Sequence, residues 1–178
     1  MMSIIKACQD PEFPAEVELV ISNRPDAAGI KFAKSKQIKT EIIDHKEFSN
    51  YPNPRELFDR EVDKIIEKHE IGLICLAGFM RLLSPWFVNK WSGKLINIHP
   101  SLLPEFKGAN AVEDAFNAKA QYSGCTVHYV TEEMDEGPII IQKKVPILES
   151  EDLESLKEKI LKQEHLIYPK AIEEILTS

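Results

Sequence analysis

The chain has 178 residues and a formal net charge of −7, with 43% hydrophobic and 29% charged residues. These values are ordinary for a globular domain, and the acidic balance argues against a nucleic-acid-binding surface. Cys8, Cys75 and Cys125 lie far apart without CxxC spacing, which favours neither a zinc site nor a disulfide framework. With no apolar run of membrane-spanning length and no signal peptide, we expect a cytoplasmic protein without a metal, a nucleic-acid partner or a membrane segment.

Helical and strand patterns alternate along the chain, and this alternation predicts the fold class. Helices are expected over residues 1–8, 27–36, 55–69, 86–91 and 111–118, and from about 150 towards the end, with Pro169 kinking or restarting the last one. Strands are expected over residues 16–22, 40–44, 71–77 and 95–99, from 124 onwards, over 139–142 and over 145–147. Such alternation implies βαβ units, and thus an α/β domain with a doubly wound, mostly parallel sheet flanked by helices.

The strand predicted over residues 95–99 ends in two polar side chains, Asn97 and His99. Residues two apart in a strand share a face, so the carboxamide and the imidazole project together. Such a pair can stabilise a developing oxyanion and move a proton. The alternative interpretation is a structural polar pair that caps the end of the strand. Because ligands of doubly wound sheets bind beyond the carboxyl ends of strands, this position favours a functional role.

An acidic loop closed by Gly137 and Pro138 follows the strand that begins near Gly124. Asp135 lies in this loop, where a carboxylate can orient a histidine and stabilise its protonated form. Its alternative role is that of an Asx-type turn residue. His128, in the strand before the loop, has apolar neighbours and is interpreted as a core histidine. It could also contact the site residues without touching the substrate.

A second turn, Gly78 to Leu83, follows the apolar strand predicted over residues 71–77. Its amides and carbonyls lie beside apolar side chains, a combination that suits a flat heterocycle. For Phe79 in this turn, simple core packing is the alternative. Ser101 has no Gly-x-Ser-x-Gly surroundings, so we expect it to cap a turn rather than act as a nucleophile.

Three segments of this chain resemble the phosphoribosylglycinamide formyltransferases, the folate-dependent enzymes of purine synthesis. They are Ala77–Pro85, Asn97–Pro104 and the loop around Asp135, in the same order and at the same separations. Gln163–Pro169 also resembles the carboxyl-terminal helix of these enzymes. The resemblance extends from about Ile4 to Ile175 and implies the formyltransferase fold in a single domain.

The resemblance also implies a reaction and a set of site residues. The reaction would be formyl transfer from 10-formyltetrahydrofolate to the amine of glycinamide ribonucleotide, with no metal, by a monomer or homodimer. Asn97, His99 and Asp135 match the family's catalytic residues, and Pro100 and Glu164 match positions on the ribonucleotide side. The positions that match the folate pocket are Met80, Arg81, Leu82, Leu83, Val88, Val130, Thr131, Glu132 and Glu133.

The chain departs from the family pattern at its beginning. Family members open with an apolar strand and a Gly-rich loop that cradles the substrate phosphate with its amides. This sequence opens with residues that match the helix after that loop, so residues 1–178 are expected to form a formyltransferase domain that is incomplete at its amino-terminal side. The segment 108–112 also differs from the His-containing version of many relatives.

Three other functions remain open on the sequence. A formyltetrahydrofolate deformylase would carry a second histidine where Pro100 stands and an additional regulatory domain. A methionyl-tRNA formyltransferase would need a tRNA-binding domain and a basic face. A truncated, non-catalytic relative would bind folate without turnover.

Overall fold

The structure, a computed structural model, describes Met1 to Ser178, and its alternating helices and strands confirm the predicted α/β class. The helices are α1 (Met2–Ala7), α2 (Ala28–Ser35), α3 (Pro54–Lys68), α4 (Pro85–Lys90), α5 (Ala111–Asn117) and α6 (Leu153–Thr177). The strands are β1 (Leu19–Ser22), β2 (Lys39–Ile42), β3 (Ile74–Leu76), β4 (Leu95–His99), β5 (Tyr122–Tyr129) and β6 (Ile139–Pro146). A short 3-10 helix, His45–Phe48, precedes α3.

The strands form two sheets, a parallel β1–β2 pair and a four-stranded sheet in the order β3-β4-β5-β6. Strands β3 and β4 are parallel, whereas β5 and β6 are added antiparallel. The predicted parallel arrangement is therefore correct for the pairs β1–β2 and β3–β4 and wrong for β5 and β6. The loop between β5 and β6 is too short for the crossover that a parallel pair needs, so these two strands pair antiparallel. β1 and β3 each have a hydrogen-bonded partner on one side only.

Strands β1 and β3 each begin three residues later than expected, and two further differences change the continuity of an element. Residues 139–146 form one strand rather than two, because Lys143 and Lys144 continue the ladder opposite β5 while their side chains are exposed. The last helix also continues through Pro169 without a break. Asp152 caps its start, and the carboxylate of Asp152 accepts a hydrogen bond of 2.8 Å from the Ser155 amide.

Helix α6 covers the four-stranded sheet and closes the larger hydrophobic core. Its buried side chains, among them Leu156 and Ile160, pack against β4, β5 and β6. The Tyr168 hydroxyl donates at 2.6 Å to the carbonyl of Leu76 and at 3.2 Å to that of Ile96. These bonds fix α6 beside the carboxyl end of β3 and the middle of β4, where the site residues begin.

A smaller core joins α3, α4 and β4, and it holds α4 beside the sheet. Its buried members are Ile66, Phe87, Val88, Trp91 and Leu95. None of the helices combines the length and the apolar composition that a membrane crossing requires.

Candidate active site

Strand register brings three polar side chains onto one face of the sheet. Asn97 and His99 are two residues apart in β4, and Asn97 lies opposite His128 of β5. Directly opposed residues of an antiparallel pair share a face, so His128 joins the other two. His99 and His128 are 5% and 2% exposed, whereas Asn97 is partly open to solvent. The sheet therefore presents an amide and two imidazoles where β4 ends.

Asp135 reaches this face from the β5–β6 loop and lies between the two histidines. Its Oδ2 is 3.4 Å from Nδ1 of His99, and its Oδ1 is 3.6 Å from Nε2 of His128. The Gly108 amide donates to Oδ2 at 2.9 Å, which orients the carboxylate. The backbone of Asp135 has a φ of 57°, a left-handed conformation that Asp tolerates better than most residues. The sequence interpretation of Asp135 as a residue that orients a histidine agrees with this placement.

The hydrogen bonds of the two histidines set which nitrogen carries a proton. Nε2 of His99 lies 2.9 Å from the carbonyl of Phe106, and a carbonyl only accepts, so Nε2 donates and Nδ1 faces Asp135. Nδ1 of His128 likewise donates to the carbonyl of Tyr129 at 2.8 Å. Nε2 of His128 has no hydrogen-bond partner although it is buried. Burial lowers the pKa of His128, which keeps that ring neutral.

The turn after His99 is held by side chains on β5 and β6. The Thr126 hydroxyl donates to the carbonyl of Ser101 at 2.7 Å and accepts from the Leu103 amide at 3.2 Å. Gln142 donates at 2.9 Å to the same hydroxyl oxygen. The Ser101 hydroxyl donates to the carbonyl of Glu105 at 2.6 Å, which agrees with the expected turn-capping role. The backbone around His99 is thereby fixed by bonds that do not use the imidazole.

A cavity of about 280 Å³ lies between α4 and the loop that follows β5. The Asn89 amide of α4 donates to the Glu132 carboxylate of the loop at 2.8 Å and links the two walls. Five predicted folate-pocket positions line this cavity, together with Asn89 and Ser92, which the sequence analysis did not single out. The lining residues are Val88, Asn89, Ser92, Val130, Thr131, Glu132 and Glu133.

The other predicted folate positions lie in the turn after β3 and do not line this cavity. Met80 and Leu82 are 81% and 55% exposed. The Arg81 guanidinium lies over the Phe58 ring, 5.2 Å from its centroid, and Leu83 packs against the smaller core. The turn thus places the apolar side chains of Met80 and Leu82 at the surface, whereas Arg81 and Leu83 pack against other residues of the chain.

The two predicted ribonucleotide positions, Pro100 and Glu164, do not line this cavity of about 280 Å³. Pro100 directly follows His99 and is partly exposed. Glu164 lies on α6, where burial raises the pKa of its carboxyl to about 7 and the nearby Met1 amino group opposes that shift. A larger cavity of about 370 Å³ contains none of the predicted positions; it is lined by Leu102, Leu103, Pro104, Glu105, Ala120, Gln121, Tyr122 and Lys144.

Comparisons with known proteins identify the family of this chain. The sequence profile described as "Formyl transferase" matches residues 1–172. The phosphoribosylglycinamide formyltransferase of Haemophilus influenzae is 39% identical over 172 residues, which cover 97% of this chain and 79% of that protein. The chain belongs to the phosphoribosylglycinamide formyltransferase family. The family predicted from the sequence motifs is therefore confirmed.

Relatives of other lengths and solved structures agree with this family. "Trifunctional purine biosynthetic protein adenosine-3" of Bos taurus is 42% identical over 173 residues, but the chain spans only 17% of that longer protein. The crystal structure of the phosphoribosylglycinamide formyltransferase from Bacillus halodurans superposes with a TM-score of 0.92 at 37% identity, covering 99% of this chain and 89% of that one. The enzyme from Anaplasma phagocytophilum gives 0.89 at 40% identity, covering 99% and 80%. The predicted formyltransferase fold is confirmed.

Proposed function

We propose that this chain transfers the formyl group of 10-formyltetrahydrofolate to the amine of glycinamide ribonucleotide, a reaction of de novo purine biosynthesis. The observation that carries the proposal is the Asp135 carboxylate between His99 and His128, beside the partly open Asn97. The names of the family relatives supply the reaction. The proposal keeps the expectations of a formyltransferase domain over residues 1–178, a cytoplasmic location and a monomer or homodimer.

Asn97, His99 and Asp135 together have the chemistry that formyl transfer requires. Attack of an amine on a formyl carbon places negative charge on oxygen, and the Asn97 amide can donate to that oxygen. One such donor contributes roughly 2.7–4 kcal/mol to transition-state stabilisation. His99 can exchange a proton with the substrate once Nε2 leaves the Phe106 carbonyl, because Nδ1 stays against Asp135. Asp135 would keep Nδ1 of His99 in place.

The cavity between α4 and the 130–133 loop supports the folate half of the proposal. Its volume of about 280 Å³ is just below the range for small-molecule pockets, roughly 300–1,000 Å³. Val88 and Val130 provide apolar walls, and the Thr131, Glu132 and Glu133 segment provides polar groups. These residues fit a flat, hydrogen-bonding ring, and 10-formyltetrahydrofolate supplies the formyl group when bound there. Met80 to Leu83 would contact the same co-substrate from the turn after β3.

The ribonucleotide half of the proposal rests on Pro100 and Glu164. Pro100 follows His99, so a substrate amine held there would be close to the imidazole. Glu164 is a partly buried carboxyl with a pKa of about 7, which can accept or donate hydrogen bonds to a sugar hydroxyl near neutral pH.

The test is an assay of this chain with 10-formyltetrahydrofolate in the presence and absence of glycinamide ribonucleotide. The proposal predicts loss of the formyl group from the folate only when the ribonucleotide is present, with an equal amount of formylated ribonucleotide. Formate release without the ribonucleotide would instead show a deformylase. Folate binding without turnover would show a non-catalytic relative, and either result would reject the proposed function.

A further inference from the structure

Helix α3 carries two buried carboxylates on one face. Asp59 and Asp63 are four residues apart, so they lie one above the other, and they are only 1% and 4% exposed. A buried carboxylate destabilises a fold unless hydrogen bonds compensate it. Burial raises the pKa of Asp59, and its hydrogen bonds with Ser84 oppose that rise. The partners of these two residues therefore show what the carboxylates hold in place.

The two carboxylates hold opposite ends of the same short helix, α4. Asp59 Oδ2 accepts from the Ser84 amide at 2.5 Å, and Ser84 caps the first turn of α4. Asp63 Oδ1 accepts from the indole Nε1 of Trp91 at 2.9 Å, directly after the last turn. Asp63 Oδ2 accepts from Nζ of Lys90 at 2.5 Å. We call these three contacts the α4 clamp.

Helix α4 needs external support because of its length. It has six residues, from Pro85 to Lys90, and helices much shorter than about 12 residues are unstable in isolation. Apart from the clamp, its inner side is held by Phe87 and Val88 in the smaller core. Packing sets the distance between α4 and the smaller core. The directional hydrogen bonds at the two ends of α4 set its position along its own axis and its rotation about that axis.

The position of α4 determines one wall of the 280 Å³ cavity. Val88 and Asn89 line the cavity from α4, and Asn89 donates to Glu132 on the opposite wall. Asp59 and Asp63 do not line the cavity themselves. A shift of α4 would change the distance between the walls and break the Asn89–Glu132 contact.

We propose that Asp59 and Asp63 are positioning residues for the folate pocket, which act by clamping α4 at both ends. This inference rests on the proposed function, because it takes the cavity beside α4 to be the folate site. It assigns the two carboxylates to binding of the co-substrate and not to the chemistry at His99, which belongs to a different part of the sheet.

Steady-state kinetics of Asp59→Asn and Asp63→Asn test the inference. Each variant keeps the side-chain volume and removes the charge that holds α4. We expect KM for 10-formyltetrahydrofolate to rise about tenfold, while kcat and KM for the ribonucleotide change by less than about threefold. A purely structural role would lower the amount of folded enzyme, and hence apparent kcat, with no change in KM for the folate. Trp91→Phe, which removes one clamp donor and keeps an aromatic ring, should act in the same direction.

Glu67→Gln provides the matched control. Glu67 is on the same helix and contacts the same Lys90 Nζ at 2.6 Å, but its side chain is 58% exposed and it contacts neither the Ser84 amide nor the Trp91 indole. Its KM for the folate should remain within about twofold of wild type. A folate KM in the Asp59→Asn and Asp63→Asn variants that equals that of Glu67→Gln would overturn the inference.

Hydrogen exchange of the α4 amides gives a second readout that needs no ligand. Exchange at residues 87–91 should be about tenfold or more faster in the two Asn variants than in Glu67→Gln. Unchanged exchange would refute the clamp, and faster exchange with an unchanged folate KM would refute its link to the pocket. A wild-type chain without folate-dependent transfer would reject the proposed function, and the exchange experiment would still decide whether the clamp exists.

Discussion

The Asp135 carboxylate lies 3.4 Å from Nδ1 of His99, on the side of the ring opposite the Phe106 carbonyl. The imidazole therefore lies between a carbonyl that accepts from Nε2 and a carboxylate that faces Nδ1. Asp135 is in turn oriented by the Gly108 amide at 2.9 Å. The Phe106 carbonyl and the loop that carries Asp135 thus hold the imidazole ring of His99 in place.

Replacing Asp135 tests whether this carboxylate supports catalysis. Asp135→Asn keeps the shape of the side chain and removes its charge, so Nδ1 of His99 loses the carboxylate that faces it. We expect kcat to fall by at least about 100-fold, with the KM values changed little. Glu136→Gln, at the adjacent carboxylate that pairs with Lys107 and has a 53% exposed side chain, should remain within about threefold of wild type. Equal kcat values for the two variants would contradict the role of Asp135.

Asn97 is expected to stabilise the oxyanion, and its removal should affect only the transition state. Asn97→Ala should reduce kcat by about 10²–10³-fold, the loss typical of one oxyanion donor. Binding of folate, measured by fluorescence titration, should be nearly unchanged. A variant with a normal kcat would reject the oxyanion role of Asn97.

Gly137 closes the loop that carries Asp135, and the space around it excludes a side chain. A Cβ at this position would lie 1.8 Å from the carbonyl oxygen of Tyr129. Gly137→Ala must therefore displace the loop, and we expect a loss of about 1–3 kcal/mol of unfolding free energy together with reduced kcat.

Gly72→Ala is the control for that substitution, because a Cβ there meets no atom within 4 Å. It should change stability by less than about 0.5 kcal/mol. Urea unfolding of both variants measures the difference, and a Gly137→Ala variant as stable and as active as Gly72→Ala would show that the loop is not constrained in this way.

The raised pKa of Glu164 predicts a pH dependence of stability. Its ordinary value is 4.5 and its value in the folded chain is about 7, so the folded state binds the proton more tightly than the unfolded state. The stability from this group is complete below pH 4.5 and is lost as the pH rises through 7. Residual solvent contact reduces the effect, and we expect about 1–3 kcal/mol.

Glu164→Gln should remove this dependence and be more stable than wild type above pH 7. Urea unfolding between pH 4.5 and 8 measures it, with Glu154→Gln as a control because that helix residue has a 78% exposed side chain. Parallel stability curves for wild type and Glu164→Gln would contradict the raised pKa.

The local signals of the sequence were sufficient for much of the fold and for the polar face of β4. Strand β4 lies at the predicted residues 95–99, and α4 and α5 begin and end within one residue of their predicted bounds. These elements are bounded by Pro85, Pro100 and turn residues, which act locally. The resemblance to the family then matches Asp135, in the loop after β5, to a catalytic position.

The remaining features depend on contacts between residues that are far apart in the chain, and a single sequence does not show which of them meet. His128 was interpreted as a core histidine, and only the pairing of β4 with β5 places it beside Asp135. Asp59 lies on a helix whose stripe of apolar side chains predicts its buried face, but its partner Ser84 is distant in sequence. The antiparallel addition of β5 to β4, with α5 between them in the chain, likewise follows from its contacts with β4 and not from its own pattern.

The most direct test of the account is the amount of formylated glycinamide ribonucleotide that wild type and His99→Ala produce, quantified by mass spectrometry with 10-formyltetrahydrofolate as the donor. Folate binding by both proteins is measured in parallel, so that a loss of product can be separated from a loss of binding. The account predicts ribonucleotide-dependent product with wild type, a decrease of about 10²–10⁴-fold in His99→Ala, and nearly equal folate binding. No product from wild type, or equal product from both proteins, would contradict it.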